Sequence, residues 1–287
     1  MPKKNTATAT VITTSRTPFP AVPATNGMMS GVDGSSLPEN GYADATLWLR
    51  PGHAVYTGPS LRLDPHSGSV ACLAVGLDGS FTVHRDGHPE VLARSALIAP
   101  RVRHRLVAAG ERMLFCYLDP SSTRRPACEW RMTGGDAGVR VHHRDEAELV
   151  ARAEAGGDLG AWLDLAAPMS STAGDPRISD AAAVLRKQAH RMVSAGELAA
   201  ACGLSTSRFR HLFRDETGTS FRRYRLWARM LTAADLIAGG SDLTTAATEA
   251  GFATPSHFSD AFHGMFGLPP SRLLGGRVTF ACGPGHS

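Results

Sequence analysis

The sequence is poor in cysteine and has no cysteine pair at a metal-binding or redox spacing. It contains five cysteines, an odd number, and no C-x-x-C motif. Both observations argue against a disulfide scaffold and against a zinc finger. We interpret Cys72, Cys116 and Cys202 as small buried apolar residues.

Long apolar runs are also lacking. No run reaches the roughly 18 residues of a membrane span, and Lys3 and Lys4 are not followed by the apolar core of a secretory signal. We therefore expect a cytoplasmic protein with no membrane partner. Its 287 residues are enough for two domains, each with its own core.

Charge of one sign is in only slight excess, with a net charge of +4. Residues 177–277 carry 13 Lys and Arg against 8 Asp and Glu, a net of +5, whereas the remainder carries 17 against 18, a net of −1. A basic C-terminal part favours association with phosphate. An excess of this size is a weak argument by itself.

The same C-terminal part contains one helix-turn-helix pattern written twice. The matched residues are Gly203 with Gly251 at an offset of 48, and Phe209 with Phe258, Phe213 with Phe262 and Gly218 with Gly267 at an offset of 49. In each copy the phenylalanines recur at helical spacing and predict the buried stripe of the second helix. The opposite side of that helix is polar, and in the first copy it is basic.

Helix-end signals support both copies. Ser194 and Glu197 have the spacing of a capping box, and Gly203 suits the positive φ of a tight turn. Ser205, Asp242 and Thr254 are the other predicted N-caps, and Pro255 follows at the first helical position. Residues 220–238 predict a helix that links the two copies. A further helix is predicted over residues 178–192, with Ile178, Ala182, Leu185, Ala189 and Met192 on its inner side.

Two such units joined by a long helix resemble the AraC/XylS family of bacterial transcription regulators. The most specific matches are the pair Gly251 and Phe252 in the second turn and the stretch FHGMFGLPP at residues 262–270. The resemblance implies a double helix-turn-helix DNA-binding domain over residues 177–277. The alternative is an all-α module that binds other proteins.

The resemblance also implies which residues meet DNA, because the second helix of each unit would enter a major groove. The expected DNA contacts are Ser207, Arg208, Arg210, His211 and Arg214 in the first unit, Ser256, His257, Ser259, Asp260 and His263 in the second, and Arg222 and Arg223 on phosphates. Arg210 is the expected reader of guanine, while Arg208 and Arg214 fit phosphate contacts. Relatives commonly have a basic residue where Asp260 stands, so we expect the second unit to contribute less affinity.

The N-terminal part differs in composition. Residues 1–40 are rich in Thr, Ser, Pro, Ala and Gly and predict a flexible arm. Residues 45–120 contain short apolar runs between turns, including SLRL at residues 60–63, and predict a sandwich or jelly roll. Beside the C-terminal units, this part resembles the cupin-like effector or dimerisation barrel of the family. The predicted fold class is α+β with two domains, namely a β-barrel or jelly roll over residues 41–125, a helical dimerisation or linker region over 126–170, and the all-α domain over 177–277.

The histidines of a cupin metal site are incomplete. His66 lies where the first cupin motif would place its histidines, and His104 lies in a line that resembles the second motif, but the H-x-H pair and the glutamate are missing. A metal site needs at least three ligands, so we predict no metal, no cofactor and no enzymatic activity. By analogy of fold, Trp48, Arg62, His66 and His104 are the candidate polar groups around a small-molecule effector.

Two functions follow from these observations. The first is a regulator in which an effector bound to the barrel changes how paired DNA-binding domains are presented. The second is a DNA-binding regulator whose barrel only dimerises or binds a protein. The partners expected in the first case are double-stranded DNA, a small molecule and a second copy of the chain, and RNA polymerase is left open. A metal-dependent cupin enzyme is disfavoured by the incomplete ligand set.

Overall fold

The structure, a computed structural model, describes residues 45–169, 174–274 and 278–282. The arm predicted over residues 1–40 lies outside the described residues. The strands are β1 (Ala45–Arg50), β2 (His53–Pro59), β3 (Ala71–Gly76), β4 (Phe81–His84), β5 (Val91–Ala93), β6 (Ser95–Ile98), β7 (Arg105–Ala108), β8 (Arg112–Leu118), β9 (Met132–Gly135), β10 (Val139–His143) and β11 (Val278–Cys282). The helices are α1 (Arg124–Arg131), α2 (Glu146–Glu154), α3 (Leu159–Ala166), α4 (Pro176–Lys187), α5 (Ala195–Ala201), α6 (Thr206–Thr217), α7 (Phe221–Ala238), α8 (Leu243–Glu249), α9 (Pro255–Phe266) and α10 (Pro270–Leu274).

The strands form a sandwich of two sheets. The large sheet has the order β11-β1-β2-β8-β3-β6-β10-β9, and the small sheet has the order β5-β4-β7. Neighbouring strands are antiparallel except for β11, which runs parallel to β1. The predicted α+β, two-domain architecture is confirmed. The sequence reading missed the β9–β10 pair and β11, and SLRL at residues 60–63 forms no strand.

Both faces of the large sheet are covered. On β3, Cys72 and Ala74 face one core, while Ala71, Leu73 and Val75 face another, because successive side chains of a strand point to opposite faces. Every residue of β3 is therefore buried. We call the face that carries Cys72 and Ala74 the first face and the opposite one the second. Helices α1, α2 and α3 cover the second face, and the small sheet and the C-terminal domain both pack against the first.

One predicted effector residue lies on the wrong face of this sheet. Trp48 is buried with Leu73, Leu114 and Trp162 under the helices that cover the second face. The alternation along β1 places it there, since its neighbours Leu47 and Leu49 face the first core. The expectation that Trp48 lies with the histidines is wrong.

The two helix-turn-helix units are anchored differently. The first unit has a core of its own with α4 and the start of α7, in which Phe209, Phe213 and Tyr224 are fully buried. The second unit packs Phe258 and Phe262 into the same core as the first face of the large sheet. The apolar core of the second unit is thus continuous with that of the sandwich, whereas the apolar core of the first unit is separate.

Details of the helical prediction need correction. α4 ends at Lys187, not at residue 192, and Met192 is exposed where it was expected to face inward. In the turn between α4 and α5, Arg229 Nε donates to the carbonyl of Ala189 at 3.1 Å. Cys72 and Cys116 are buried as predicted, and Cys202 is half-buried. None of the described helices is both long and apolar enough to cross a membrane.

Candidate nucleic-acid interface

The first unit has the local structure that its sequence predicts. The Ser194 hydroxyl accepts from the Glu197 amide, and the Glu197 carboxylate accepts from the Ser194 amide, at 2.6 Å, which completes the capping box. Gly203 has a φ of +66° in the turn. The Ser205 hydroxyl caps α6 by accepting from the Arg208 amide. These bonds fix the start of α6 and therefore which of its side chains face outward.

The outward side of α6 is polar and basic. Phe209 and Phe213 are buried, whereas the predicted DNA-facing residues are exposed, and these are Ser207, Arg208, Arg210, His211 and Arg214. Among the described residues, no carboxylate forms an ion pair with Arg210 or Arg214. Their guanidinium groups are therefore available to base edges and phosphates.

The second unit repeats the geometry. Asp242 caps α8, and Thr254 caps α9, in which Pro255 is the first helical residue. Gly251 has a φ of +86°, and a Cβ atom added there would lie 2.8 Å from the carbonyl oxygen of His190. Glycine is thus required at this turn by both conformation and space.

The outward side of α9 is less open than that of α6. Ser256, His257 and Asp260 are exposed, and Ser259 is half-buried. The Nε2 atom of His263 lies 3.0 Å from a carboxylate oxygen of Asp64 on the sandwich. One of the five residues expected to face DNA is therefore engaged by the N-terminal domain.

Residues 62–68 of the sandwich make this and several further contacts with the C-terminal domain, and we call them the 62–68 segment. The amide of Asp64 donates to the Gly267 carbonyl at 2.7 Å, and the amide of Ser67 donates to the Gly264 carbonyl at 3.2 Å. These bonds hold the 62–68 segment beside the C-terminal end of α9.

The guanidinium of Arg223, at the start of α7, binds the same segment. Its Nη1 atom donates to the carbonyls of Ser67 and Gly68, at 3.2 Å each, and Nη2 donates to the Ser67 hydroxyl at 3.3 Å. We expected Arg223 on phosphate, but in this structure it lies on the sandwich. Arg222, its neighbour, is exposed.

The other side of the 62–68 segment carries a histidine pair. His66 and His104 exchange backbone hydrogen bonds of 2.9 Å in both directions, and their rings are 4.4 Å apart. Both side chains are buried, and burial lowers the pKa of each imidazole below its ordinary value, for His104 to about 4. The structure thus brings two of the candidate effector residues together, and their role in binding an effector stays a prediction. The side chain of Arg62 is exposed and does not share their buried site.

No metal-binding cluster accompanies the pair. Within residues 45–169, 174–274 and 278–282, no group of three or more His, Cys, Asp or Glu side chains is placed to hold a metal ion. The pair adjoins a small cavity of about 10 Å³ inside the sandwich. This cavity shares Leu63, Phe115 and Tyr117 with a second one of about 60 Å³, which lies between the large sheet and helices α7 and α9.

A buried polar cluster also joins the two domains, and no local pattern in the sequence predicts it. Asp119 follows β8 and is 3% exposed. Its carboxylate accepts from Arg186 Nη1 of α4 at 2.8 Å, from the Tyr224 hydroxyl of α7 at 3.1 Å and from the Ser121 amide at 2.9 Å. These partners are 67 and 105 residues away from Asp119 along the chain.

Comparison with known proteins agrees with this architecture. A family model described as a helix-turn-helix domain matches residues 198–275. The fold is similar to that of an apo variant of ToxT from Vibrio cholerae strain SCE256, with a TM-score of 0.54 and 12% identity over 78% of this chain and 97% of that chain. It is also similar to ToxT from Vibrio cholerae O395, with a TM-score of 0.52 and 12% identity over 77% and 96%. No curated protein sequence matches the chain.

Two helix-turn-helix units, one with an open basic recognition helix, define a DNA-binding transcription regulator with a sandwich domain at its N-terminal side. Its C-terminal domain is of the AraC type, so the resemblance on which the sequence reading relied is confirmed for that domain.

Proposed function

We propose that this regulator responds to a small molecule and that the 62–68 segment transmits the response to the second helix-turn-helix unit. The observation that carries the proposal is that the 62–68 segment contacts the cavities on one side and the C-terminal domain on the other. Leu63 and His66 line the cavities of the sandwich, while Asp64 and Ser67 hold the C-terminal domain. A movement of the segment at the cavities therefore also changes its hydrogen bonds to the C-terminal domain.

We call the arrangement in this structure the held state, because Arg223 and His263 are bonded to the sandwich. While Arg223 and His263 are bonded to the sandwich, they are not available to DNA. The first unit keeps an open recognition helix and a separate core. In the held state the protein therefore binds DNA mainly through the first unit, and release of the segment adds contacts from the second.

A ligand acts on this equilibrium only as far as it binds the two states with different affinity. ToxT from Vibrio cholerae O395 has been solved bound to (E)-4-(8-methylnaphthalen-1-yl)but-3-enoic acid, at 12% identity and a TM-score of 0.51. That ligand is a property of ToxT, and for this chain it supports only the search for a small molecule. The proposal includes a cytoplasmic protein without enzymatic activity.

A reversible cross-link tests the role of the segment. Ser67→Cys with Gly264→Cys places a thiol on each of two residues whose backbones are hydrogen-bonded at 3.2 Å, and mass spectrometry checks that the disulfide has formed. DNA affinity is measured by fluorescence anisotropy over a range of salt, on a duplex selected from a random library by the wild-type protein. We expect the oxidised variant to bind more weakly and with a shallower salt dependence, because fewer phosphates are contacted.

The reduced double variant and the oxidised wild type are the matched controls, and both are expected to bind as the reduced wild type does. An oxidised variant with unchanged affinity and unchanged salt slope would show that the segment does not restrict the second unit.

A second proposal concerns self-association through the helical region over residues 126–170. Trp130 on α1 is 79% exposed, which is unusual for a large aromatic side chain and typical of residues that anchor protein interfaces. We expect a homodimer in sedimentation experiments that Trp130→Ser converts to a monomer. Leu92→Ser, at an apolar side chain of 65% exposure on the small sheet, is the control and should remain dimeric. A monomeric wild type would remove this proposal.

A further inference from the structure

We propose that the effector is a neutral, largely apolar molecule with one hydrogen-bond donor, bound between the large sheet and helices α7 and α9 with its donor at the His66–His104 pair. This inference rests on the proposed ligand response and specifies the chemistry that the site accepts.

The apolar part follows from the lining of the larger cavity. Its walls come from both domains, with Leu47 and Leu63 on the sandwich side and Met230 and Phe262 on the C-terminal side. None of its described lining residues is Lys, Arg, Asp or Glu. A ligand carboxylate or ammonium group would lose its hydration there without gaining a partner, at a cost of several kcal/mol.

The polar groups in that wall already have partners, and the Tyr117 hydroxyl, which lines both cavities, is hydrogen-bonded to the Cys72 thiol. The Tyr56 hydroxyl donates to the Pro59 carbonyl at 2.8 Å, and Trp227 Nε1 donates to the Gly52 carbonyl at 3.2 Å. Recognition of a ligand polar group therefore has to come from elsewhere. The adjoining smaller cavity supplies it, because His66 and His104 line that cavity.

The tautomer of the pair determines which polar group fits. Nδ1 of His66 lies 2.9 Å from the Asp64 carbonyl, and Nδ1 of His104 lies 2.9 Å from the Val102 carbonyl. A carbonyl oxygen only accepts, so each Nδ1 carries the proton and each Nε2 of the neutral ring is an acceptor. Two adjacent acceptors select a hydroxyl, phenol or amide N–H and disfavour a carboxylate.

The size of the cavities sets how binding and release are linked. Volumes of about 60 and 10 Å³ hold at most a few water molecules. A larger molecule enters only if α7 and α9 move away from the sheet, and this movement stretches the bonds between α9 and the 62–68 segment. The effector therefore favours the released state, and we expect it to tighten DNA binding.

Six probes test the ligand class on the full-length protein at pH 7.5. They are 1-naphthol, 1-methoxynaphthalene and 1-naphthoate, and 1-octanol, methyl octyl ether and octanoate. Binding is read from the rise in melting temperature with concentration, since a ligand of the folded form stabilises by RT ln(1 + [L]/Kd). We expect the alcohol or phenol of at least one series to bind about tenfold more tightly than its ether, and the anions to bind most weakly.

Variants then locate the donor. His104→Phe keeps a ring in place but removes one of the two acceptors, and we expect it to reduce the preference for the alcohol over the ether. His88→Phe, at an exposed turn, is the matched control and should keep the preference. Leu273→Trp, at the half-buried rim of the larger cavity, should weaken binding of all probes if His104→Phe fails to fold.

The inference is overturned if an anion binds more tightly than its alcohol, if ether and alcohol bind equally, or if none of the six probes binds. These results are separate from the cross-link experiment. Control of DNA binding by the 67–264 disulfide without binding of any probe would leave the proposed function in place and remove only this ligand class.

Discussion

Replacing Asp119 with alanine is expected to cost about 3 kcal/mol of folding free energy, near the lower end of the range for breaking a buried ion pair. The carboxylate is almost fully buried and accepts from Arg186, Tyr224 and Ser121. Its loss removes the acceptor of the Tyr224 hydroxyl and leaves the Arg186 charge without a carboxylate, although Arg186 Nη1 still donates to the Ser121 and Tyr224 hydroxyl oxygens, at 2.9 and 2.5 Å. The Arg186 side chain is 25% exposed, so water compensates part of that loss.

Urea unfolding of the full-length protein, followed by circular dichroism, measures this change. Asp164→Ala is the matched control, because the Arg124–Asp164 pair has the same N···O distance of 2.8 Å but Asp164 is 65% exposed. That control is expected to cost at most about 1 kcal/mol. Asp119→Leu combined with Arg186→Met should recover most of the loss, since it removes both buried charges together.

The reasoning fails if Asp119→Ala costs no more than Asp164→Ala. It also fails if the double variant is no more stable than the single one, because the loss would then come from packing around Asp119 and not from uncompensated charge.

The remaining predictions concern DNA reading, pH and the second turn. Arg210→Ala should cost about 1–3 kcal/mol at one base position, while Asp260→Ala should leave non-specific binding equal or tighter; equal weakening of every sequence by both changes, measured by competition binding, would contradict these roles. Burial lowers the pKa of His104 from 6.5 to about 4, so its contribution to stability is complete above about pH 6.5 and is lost as pH falls towards 4, by up to about 3 kcal/mol. Denaturant titrations should therefore show a shallower pH dependence for His104→Gln, and an unchanged slope would refute the assignment. Gly251→Ala should destabilise by about 1–3 kcal/mol through strain and contact with His190, whereas Gly264→Ala, exposed inside α9, should stabilise by up to about 1 kcal/mol; equal melting temperatures for the two variants would contradict this.

The sequence predicted what depends on neighbouring residues. The capping box at Ser194, the cap at Thr254 and the positive φ of Gly203 are local, and the structure confirms all three. The internal repeat also predicted which residues of the two units correspond, because the same local signals recur in the same order. The short apolar runs between turns predicted a sandwich or jelly roll, although they did not predict which sheet face each residue would occupy.

The sequence could not predict contacts between distant segments. Arg223 has the charge of a phosphate contact, and nothing near it in sequence indicates that Ser67 and Gly68 accept its hydrogen bonds. Asp119 likewise carries no local signal of its partners in α4 and α7. Trp48 was assigned to the effector site by analogy, and the side of β1 on which it lies depends on strand register.

The parallel pairing of β11 with β1 has a mechanical consequence. Residues 278–282 return to the edge of the sheet that begins with β1, so the DNA-binding domain is inserted between two strands of one sheet and is tethered at both ends. Such a domain swings on two connections and does not tumble freely as it would on a single linker. A fragment that stops before residue 278 would also leave the edge of β1 unpaired, and an open edge pairs readily with other chains. Separated domains of this protein should therefore be prepared with residues 278–282 retained on, or fused to, the sandwich.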